Sequence, residues 1–323
     1  MYRLAVSQLA SIVLALFALT VMPAGAFAES RPADMLIYMP FGLVHSLHSE
    51  AEVDEYLAEI DSYGIAQVVF AAPRFKKTGI LKEPRRNTEM LTRWAHRAAV
   101  YNTVHGSSLG LTIVFNGKPN PRTGAFNLED PATRANVLAG IQSSLATGAV
   151  GVQLDFEPFP AGPGFLALLE ELDAMFARIG FSGRFSVVAP SNISRWSPSY
   201  LNRISQLVRQ VNPTFYDSEY TSAAAYESWM ENGLAYYTTN VEAATRIVPV
   251  LPSYSANRWH HPAVENIETA STAARVGLEA GSRINGVGIW SGWGFLLDEE
   301  GAYDASADRA SWLTSTLALP FSP

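Results

Sequence analysis

The chain has 323 residues and no cysteine, and its 23 basic and 30 acidic side chains give a formal net charge of −7. The lack of cysteine excludes disulfides, thiolate metal sites and a cysteine nucleophile. The sequence has no basic cluster of the kind that binds nucleic acid or anionic lipid, so neither is an expected partner.

The N-terminal 28 residues have the three parts of a secretory signal peptide. Arg3 is the only charged side chain among them, residues 9–22 are almost wholly apolar, and Ala26-Phe27-Ala28 places small residues at the cleavage positions. We therefore expect cleavage before Glu29 and a secreted or periplasmic protein. The apolar run is short for a membrane span of about 20 residues, and no later run is long enough, so the mature chain should not insert into a membrane.

Residues 29–323 are predicted to form a single domain, an α/β fold of the (β/α)8 TIM-barrel type. Short apolar or β-branched runs alternate with longer stretches of helical periodicity. The predicted strands are residues 35–39, 66–71, 109–115, 150–156, 184–189, 211–216, 246–251 and 285–290. A barrel needs eight such strands, and their nearly continuous apolar character favours a parallel sheet ringed by helices. An open doubly wound sheet is the alternative, but no Gly-x-Gly-x-x-Gly follows the first run.

Capping signals mark several of the intervening helices. Ser49 with Glu52 forms a capping box before a helix that runs through Tyr63. Asp130-Pro131 and Ser197-Pro198 pair an N-cap residue with proline at the first helical position. Residues 306–317 are predicted to be the last barrel helix. No internal repeat or linker divides the chain, and we expect a monomer.

In such barrels the active site lies at the carboxyl ends of the strands. Here polar and aromatic residues end the predicted strands in turn: Tyr38 and Phe41, Arg74, Asn116, Asp155 and Glu157, Ser191 and Asn192, Tyr216, Asp217, Glu219 and Tyr220, Tyr254, and Trp290 and Trp293. Aromatic walls around a few carboxylates suit a sugar, because its apolar ring faces stack while its hydroxyls form hydrogen bonds. An oligo- or polysaccharide is therefore the expected partner.

Asp155-Phe156-Glu157 is the most informative of these strand ends. Alternation along a strand points residues 155 and 157 to the same side, toward the barrel mouth. Two carboxylates so close repel each other, which raises the pKa of at least one of them, and a general acid must be protonated near neutral pH. The alternative is a solvated acidic loop, or an ion pair with Arg74 or Arg195.

The strand that carries these carboxylates resembles the fourth strand of glycoside hydrolase family 18, the chitinases and endo-β-N-acetylglucosaminidases. The family pattern is Asp-x-x-Asp-x-Asp-x-Glu or Asp-Gly-x-x-x-Asp-x-Glu. Residues 150–157, VGVQLDFE, keep the glycine, the last aspartate and the glutamate, and have Val150 and Gln153 in place of the two earlier aspartates. Phe215-Tyr216-Asp217 resembles the family's Met-x-Tyr-Asp segment, and Gly288-Ile289-Trp290 its strand-eight tryptophan.

The resemblance implies a substrate-assisted, retaining glycosidase for β-linked N-acetylhexosamine glycans, without a cofactor or metal. It makes Glu157 the general acid/base, while Asp155 orients the substrate's acetamido group and Tyr216 donates a hydrogen bond to it. Gln153 replaces an aspartate that supports Asp155 in the family, and supplies a hydrogen bond without charge. The substrate-binding residues are then Asp217, Trp290, Tyr38, Asn116, Gln153, Tyr254 and Trp293.

Three other functions remain open. A retaining glycosidase with two protein carboxylates needs a glutamate after the seventh strand; the run there has none, and Glu219 is the nearest substitute. A barrel muramidase acting on peptidoglycan shares the Asp-x-Glu pattern, and a glycosidase acting on exopolysaccharide also remains open. A glycan-binding barrel without turnover would explain the two missing aspartates. Equal hydrolysis by wild type and Glu157→Gln would contradict the catalytic role of Glu157, and binding without any turnover would favour this last function.

The histidines and the remaining tryptophans have weaker functional signals. His45 and His48 lack a third ligand at zinc-like spacing, so no metal site is predicted. His260 and His261 are candidates to line a subsite. Four tryptophans in or beside helical stretches are predicted to be packing residues: Trp94, Trp196, Trp229 and Trp312.

Overall fold

A computed structural model describes residues 34–39, 48–71, 74–82, 85–119, 126–297 and 303–322. The predicted signal peptide, residues 1–28, lies outside the described residues, as do Phe41, His45 and the side chain of Trp293. No helix in the described ranges is long and apolar enough to cross a membrane.

The strands form one parallel sheet in the order β7-β6-β5-β4-β3-β2-β1-β9-β8. Their bounds are β1 (Leu36–Met39), β2 (Gln67–Ala71), β3 (Gly110–Gly117), β4 (Gly151–Phe156), β5 (Arg184–Ala189), β6 (Gln210–Pro213), β7 (Arg246–Ile247), β8 (Val250–Pro252) and β9 (Gly288–Trp290). All eight predicted strand regions are found. The seventh is divided into two short strands, β7 and β8, because Pro249 has no N–H to continue the ladder.

The two halves of the seventh strand region close the sheet into a barrel. β7 pairs with β6, and β8 pairs with β9. Phe215 N also donates to Val250 O at 2.9 Å, so the end of the sixth strand region reaches β8. Since β9 pairs with β1, each of the eight strand regions has neighbours on both sides and the fold is a (β/α)8 barrel, as predicted.

Helices follow the strands along the chain. They are α1 (Glu50–Ser62), α2 (Arg85–His105), α3 (Pro131–Ser144), α4 (Pro163–Ile179), α5 (Pro198–Leu207), α6 (Ala223–Asn240), α7 (Ile267–Glu279), α8 (Gly292–Leu297) and α9 (Ser306–Ser311). The predicted caps are confirmed: Ser49 and Glu52 form a capping box, and Asp130 and Ser197 accept from backbone N–H groups at the starts of α3 and α5. The predicted last helix is α9 continued by a π-helical turn over Trp312–Thr316.

The hydrophobic core has two parts. The larger part fills the space between the strands and the helices and includes Trp94, Trp196 and Trp312, which are buried as predicted. The smaller part lies inside the barrel: Leu36, Tyr38, Val69, Val114, Val248 and Val250, with Tyr216 and Trp290 packed against it. This inner core lies directly beneath the residues at the carboxyl ends of the strands.

Candidate functional site

Strand β4 carries the two carboxylates that the sequence singled out. In the parallel ladder Asn116 of β3 is the register partner of Asp155, so the Asn116 side chain belongs to the same end of the sheet. Asp155 is half-buried and its Oδ1 atom is fully buried without a hydrogen bond to any described residue. Glu157, two residues later, is exposed. The pair therefore presents one enclosed and one accessible carboxylate at the barrel mouth.

Aromatic rings from four other strand ends lie on the same side of the barrel as this pair. Trp290 is stacked with Tyr216 at a centroid distance of 6.0 Å and meets Tyr38 edge-on at 5.6 Å. Tyr216 in turn meets Tyr254 edge-on at 6.2 Å. Because β1, β9 and the sixth and seventh strand regions are neighbours in the closed barrel, four predicted site residues far apart in sequence form one aromatic wall.

Burial governs the electrostatics of the site. It raises the pKa of Asp155 to about 7, and the negative charge of Glu157 adds to the rise. Burial also raises the pKa of Tyr216 well above its ordinary value, with further contributions from Asp155 and Tyr38. Tyr38 and Tyr216 both lie within electrostatic range of Asp155, since the Asp155 carboxylate raises the pKa of each hydroxyl. Both remain neutral hydroxyls at physiological pH and can donate hydrogen bonds.

Gln153 lies one strand-repeat deeper than Asp155 and is completely buried. Its amide Nε2 donates to Ser186 Oγ and to Asn212 Oδ1, both at 3.0 Å. The Gln153 amide therefore belongs to a buried polar layer beneath the barrel mouth, together with Ser186 and Asn212.

Asp217 extends the site on the side of the sixth strand. Tyr254 Oη donates to Asp217 Oδ1 at 2.8 Å, and Asn257 Nδ2 donates to the same oxygen at 3.3 Å. Asp217 is exposed and has a positive φ of 54°. This uncommon backbone conformation for an L-residue turns the chain at the end of the strand, and the two donors fix the carboxylate there.

A buried His260–Glu265 pair supports this side of the site, and the sequence did not predict it. His260 is completely buried, which corrects the expectation that it lines a subsite. Its Nδ1 lies 3.2 Å from Glu265 Oε2, its Nε2 lies 3.1 Å from Tyr254 O, and its ring stacks on Tyr254 at 3.9 Å. Glu265 also accepts from Ser218 N and Oγ. No periodicity relates these loop residues, so only the folded chain brings them together.

The described residues contain no group of three or more His, Cys, Asp or Glu side chains placed to hold a metal ion. His48 is among the described residues; its ring meets Tyr56 edge-on at 5.6 Å. Trp229 is half-buried and packs edge-on against Phe215 at 5.3 Å, so it combines a packing role with partial exposure.

No family model and no curated protein matches the sequence. Solved structures do match the fold. A Group IV chitinase from Ostrinia furnacalis superposes with a TM-score of 0.62 at 11% identity, over 89% of this chain and 99% of that one. A family GH18 chitinase catalytic domain from the fern Peteris ryukyuensis gives 0.57 at 14% identity, over 89% and 99%. The spore cortex-lytic enzyme SleL from Bacillus megaterium gives 0.60 at 13%, over 85% and 75%.

The chain therefore has the barrel fold of chitinases and a spore cortex-lytic enzyme, and the predicted fold-level resemblance to family 18 is confirmed. Identities this low carry the architecture and not the chemistry. What the chain does has to be argued from its own site.

Proposed function

We propose that the protein is a retaining glycosidase that cleaves β-linked N-acetylhexosamine glycans with help from the substrate's own acetamido group. The observation that carries this proposal is the contrast within one strand end: a half-buried Asp155, with a pKa raised to about 7, beside an exposed Glu157. Two carboxylates in different environments take different roles in acid–base chemistry. The N-terminal signal pattern supports a protein that acts after export. We assign the activity to a single barrel domain, residues 29–323.

In this mechanism Glu157 donates its proton to the glycosidic oxygen as the bond from that oxygen to the anomeric carbon breaks. The acetamido oxygen of the same sugar forms a bond to the anomeric carbon from the opposite face. Asp155 accepts a hydrogen bond from the acetamido N–H and stabilises the positive charge that develops. The Tyr216 hydroxyl donates a hydrogen bond to the acetamido group. Glu157, now a carboxylate, then takes a proton from water as the water oxygen attacks the anomeric carbon. The bond from that carbon to the acetamido oxygen breaks, which regenerates the acetamido group and restores the original configuration.

The surroundings of the pair support this division of roles. Glu157 is exposed, as a group that exchanges protons with substrate and water must be. Asp155 is half-buried and lies within electrostatic range of Tyr38 and Tyr216. No described residue donates a hydrogen bond to its Oδ1, so no described protein donor competes with a substrate N–H for that atom. Within the aromatic wall, the partly exposed rings of Tyr216 and Trp290 supply a stacking surface for the sugar ring.

Glu157→Gln tests the proposal directly. The variant keeps the shape of the side chain but cannot transfer a proton, so we expect kcat/KM on aryl N-acetylchitooligosaccharides to fall by about 10²–10⁴-fold. Release of the aryl group is the measurement. The corresponding substrates without the N-acetyl group should not be cleaved by wild type, because they lack the attacking oxygen.

Glu219→Gln is the matched comparison, since Glu219 is an exposed carboxylate after the sixth strand. It should lower kcat/KM by less than about tenfold, whereas a larger loss would favour a two-carboxylate mechanism. Equal rates for wild type and Glu157→Gln would overturn the proposed chemistry. Binding of these glycans without any turnover by wild type would indicate a glycan-binding barrel.

A further inference from the structure

The lysines of this chain are few and lie close together in sequence. The 323 residues contain only four lysines, whereas the arginines are spread along the whole chain. Lys76, Lys77 and Lys82 follow β2, and Lys118 directly follows β3. Because β2 and β3 are neighbours in the parallel sheet, all four lysines follow adjacent strands at the same end of the barrel.

Residues 74–82 form a short β-hairpin, which we call the lysine hairpin. Phe75 and Leu81 form its antiparallel bridge, and backbone hydrogen bonds continue the ladder on both sides of that bridge. Side chains alternate between the two faces of such a ladder. Phe75 is half-buried and Leu81 is buried, so the remaining ladder residues share the opposite face, and all of them are exposed: Arg74, Lys76, Ile80 and Lys82.

The inner face of the lysine hairpin packs on the outer side of the barrel. Phe75 stacks on Phe126 at 5.4 Å and on Phe115 at 5.9 Å, within the core between the strands and the helices. Leu81 lies against α3, where a Cβ atom on Gly140 would be 3.1 Å from the Leu81 Cβ atom. The hairpin is therefore supported by the outer core and not by the interior of the barrel.

The turn of the lysine hairpin is also fixed. Phe126 N donates to Lys77 O at 2.8 Å, and Asn136 Nδ2 of α3 donates to Thr78 O at 2.8 Å. With the backbone held in this way, a partner that binds the lysines has to order only their side chains.

The lysine hairpin concentrates positive charge in a chain whose net charge is −7. Residues 74–82 contain Arg74 and three lysines, and no Asp or Glu. Among the ion pairs between described residues, none involves a lysine. Arg74 also lies opposite Lys82 in the ladder, and like charges in this arrangement destabilise a hairpin. Exposed cations held together on a fixed backbone complement an anionic partner.

The chemistry of the outer face distinguishes between classes of anionic partner. Proteins that bind single-stranded nucleic acid add aromatic rings on which bases stack, whereas Phe75 turns its ring into the core. Stable binding to a lipid surface needs a large apolar area or a second anchor, and the outward face offers only Ile80. A linear acidic polysaccharide needs only cations spaced along its chain. Side chains on this face are about 5 Å apart across the ladder and ~7 Å apart along one strand.

We propose that the lysine hairpin, together with Lys118, is a docking surface for a linear acidic polysaccharide. The ammonium groups contact the negative groups of the polymer and hold the protein on it. The surface is separate from the carboxylates of β4, and the proposal does not depend on the proposed hydrolysis. The expected export of the protein would bring it into contact with such polymers.

The test measures binding of alginate, a linear polyuronate, to the purified protein by calorimetric titration, with dextran as the neutral polysaccharide. Wild type should bind alginate and not dextran. Its affinity for alginate should fall by about tenfold or more between about 20 mM and 200 mM NaCl, because salt screens the lysines and competes for the polymer.

The variant Lys76→Gln/Lys77→Gln/Lys82→Gln should bind alginate about tenfold or more weakly at low salt, because three contacts to the polymer are lost. A matched control removes the same charge from three exposed arginines of α4, α5 and the residue before β6: Arg178→Gln/Arg203→Gln/Arg209→Gln. The control should change the affinity by less than about threefold, since its charges lie away from the hairpin. Thermal melting confirms that both variants are folded.

Equal affinities of wild type and the lysine variant would overturn the docking surface. An equal loss in the two triple variants would also overturn it, because overall charge and not the hairpin would then control binding. Failure of wild type to bind alginate, or equal binding of dextran, would do the same. Vesicles of phosphatidylcholine with phosphatidylglycerol provide the last comparison: lysine-dependent binding to these vesicles without binding to alginate would make the partner a lipid surface and overturn the polysaccharide.

Discussion

At the scale of single residues, Asp155 is an ionisable group in surroundings that disfavour its ionised form. Its carboxylate lies in a site that disfavours charge, because the side chain is enclosed and Glu157 is close by. The folded protein therefore holds a proton there up to a pH of about 7, whereas an unfolded chain releases it near 4. Between these values the folded state binds more protons than the unfolded state, so the stability of the fold must fall as pH rises through this window.

Asp155→Asn should remove that dependence. The amide has no charge to desolvate, so we expect the variant to gain stability over wild type from about pH 4 to pH 7, by up to about 4 kcal/mol, and no further above pH 7. Urea denaturation at several pH values measures this. Asp173→Asn, an exposed aspartate on α4, is the control and should follow wild type. Parallel stability curves for wild type and Asp155→Asn would contradict the raised pKa.

Gln153 shows what a single strand pattern does and does not predict. Alternation predicted that residues 155 and 157 point to the same side of the strand, and the resemblance to family 18 made Gln153 a substrate-binding residue. In the barrel, Gln153 is completely buried and donates to Ser186 and Asn212. How deeply a residue lies inside the barrel depends on the register of the neighbouring strands, and the sequence of one strand does not predict that register. Its contact with substrate remains a prediction.

At the scale of elements, two loops at the barrel mouth are tied together through buried polar groups. The loop after β8 supplies Tyr254 and the His260–Glu265 pair, and the loop after β6 supplies Asp217 and Ser218. Glu265 accepts from Ser218 and lies beside His260, while Glu219 N donates to Trp259 O at 2.9 Å. The position of the Asp217 carboxylate therefore depends on a glutamate that does not contact it.

Glu265→Ala should weaken this junction measurably. The change leaves Ser218 N, Ser218 Oγ and His260 Nδ1 without their acceptor in a buried site, which costs about 1–3 kcal/mol for each unsatisfied group. Glu265→Gln keeps an acceptor oxygen and should lose less. Thermal unfolding of both variants is the measurement, with Glu268→Ala, an exposed glutamate on α7, expected to stay within about 0.5 kcal/mol of wild type. A stable Glu265→Ala variant would show that the loops are held by other contacts.

The elements themselves were largely predictable from local chemistry. Capping residues located the starts of α1, α3 and α5, and the apolar runs located every strand region. The division of the seventh region at Pro249 had a local cause that the sequence displays. The His260–Glu265 pair had no such local cause, because its contacts with Tyr254 and with Ser218 of the loop after β6 form only when the loops fold.

At the scale of the whole molecule, the site exists only because the sheet closes. Tyr38 belongs to β1 and Trp290 to β9, and their 5.6 Å contact joins the first and last strands of the barrel. The same junction continues at the base, where Asp34 N donates to Asn285 O at 2.8 Å and Leu36 N donates to Val287 O at 3.0 Å. A barrel closed in this way leaves no open edge at β1 or β9.

Gly286 lies at the tightest point of that closure. A Cβ atom there would be 2.3 Å from Asp34 O and 2.5 Å from Asp34 C, both backbone atoms that cannot move without shifting β1. Gly281 is a matched control, since it also has a positive φ, +91°, but a Cβ atom at this position meets nothing within 4 Å. Alanine substitutions at the two glycines therefore distinguish the loss of stability caused by the clash with Asp34 from the loss caused by a positive φ.

Gly281→Ala should cost about 1–2 kcal/mol, the usual penalty for an L-residue in a left-handed conformation. Gly286→Ala should cost a further 1–3 kcal/mol or so, because the clash forces β9 away from β1. Denaturant unfolding gives both values. Near-ultraviolet circular dichroism adds a local readout: displacement of β9 alters the packing of Trp290 against Tyr38, so the aromatic signal should change in Gly286→Ala and not in Gly281→Ala. Equal losses of stability in the two variants would mean that the junction between the first and last strands yields without cost.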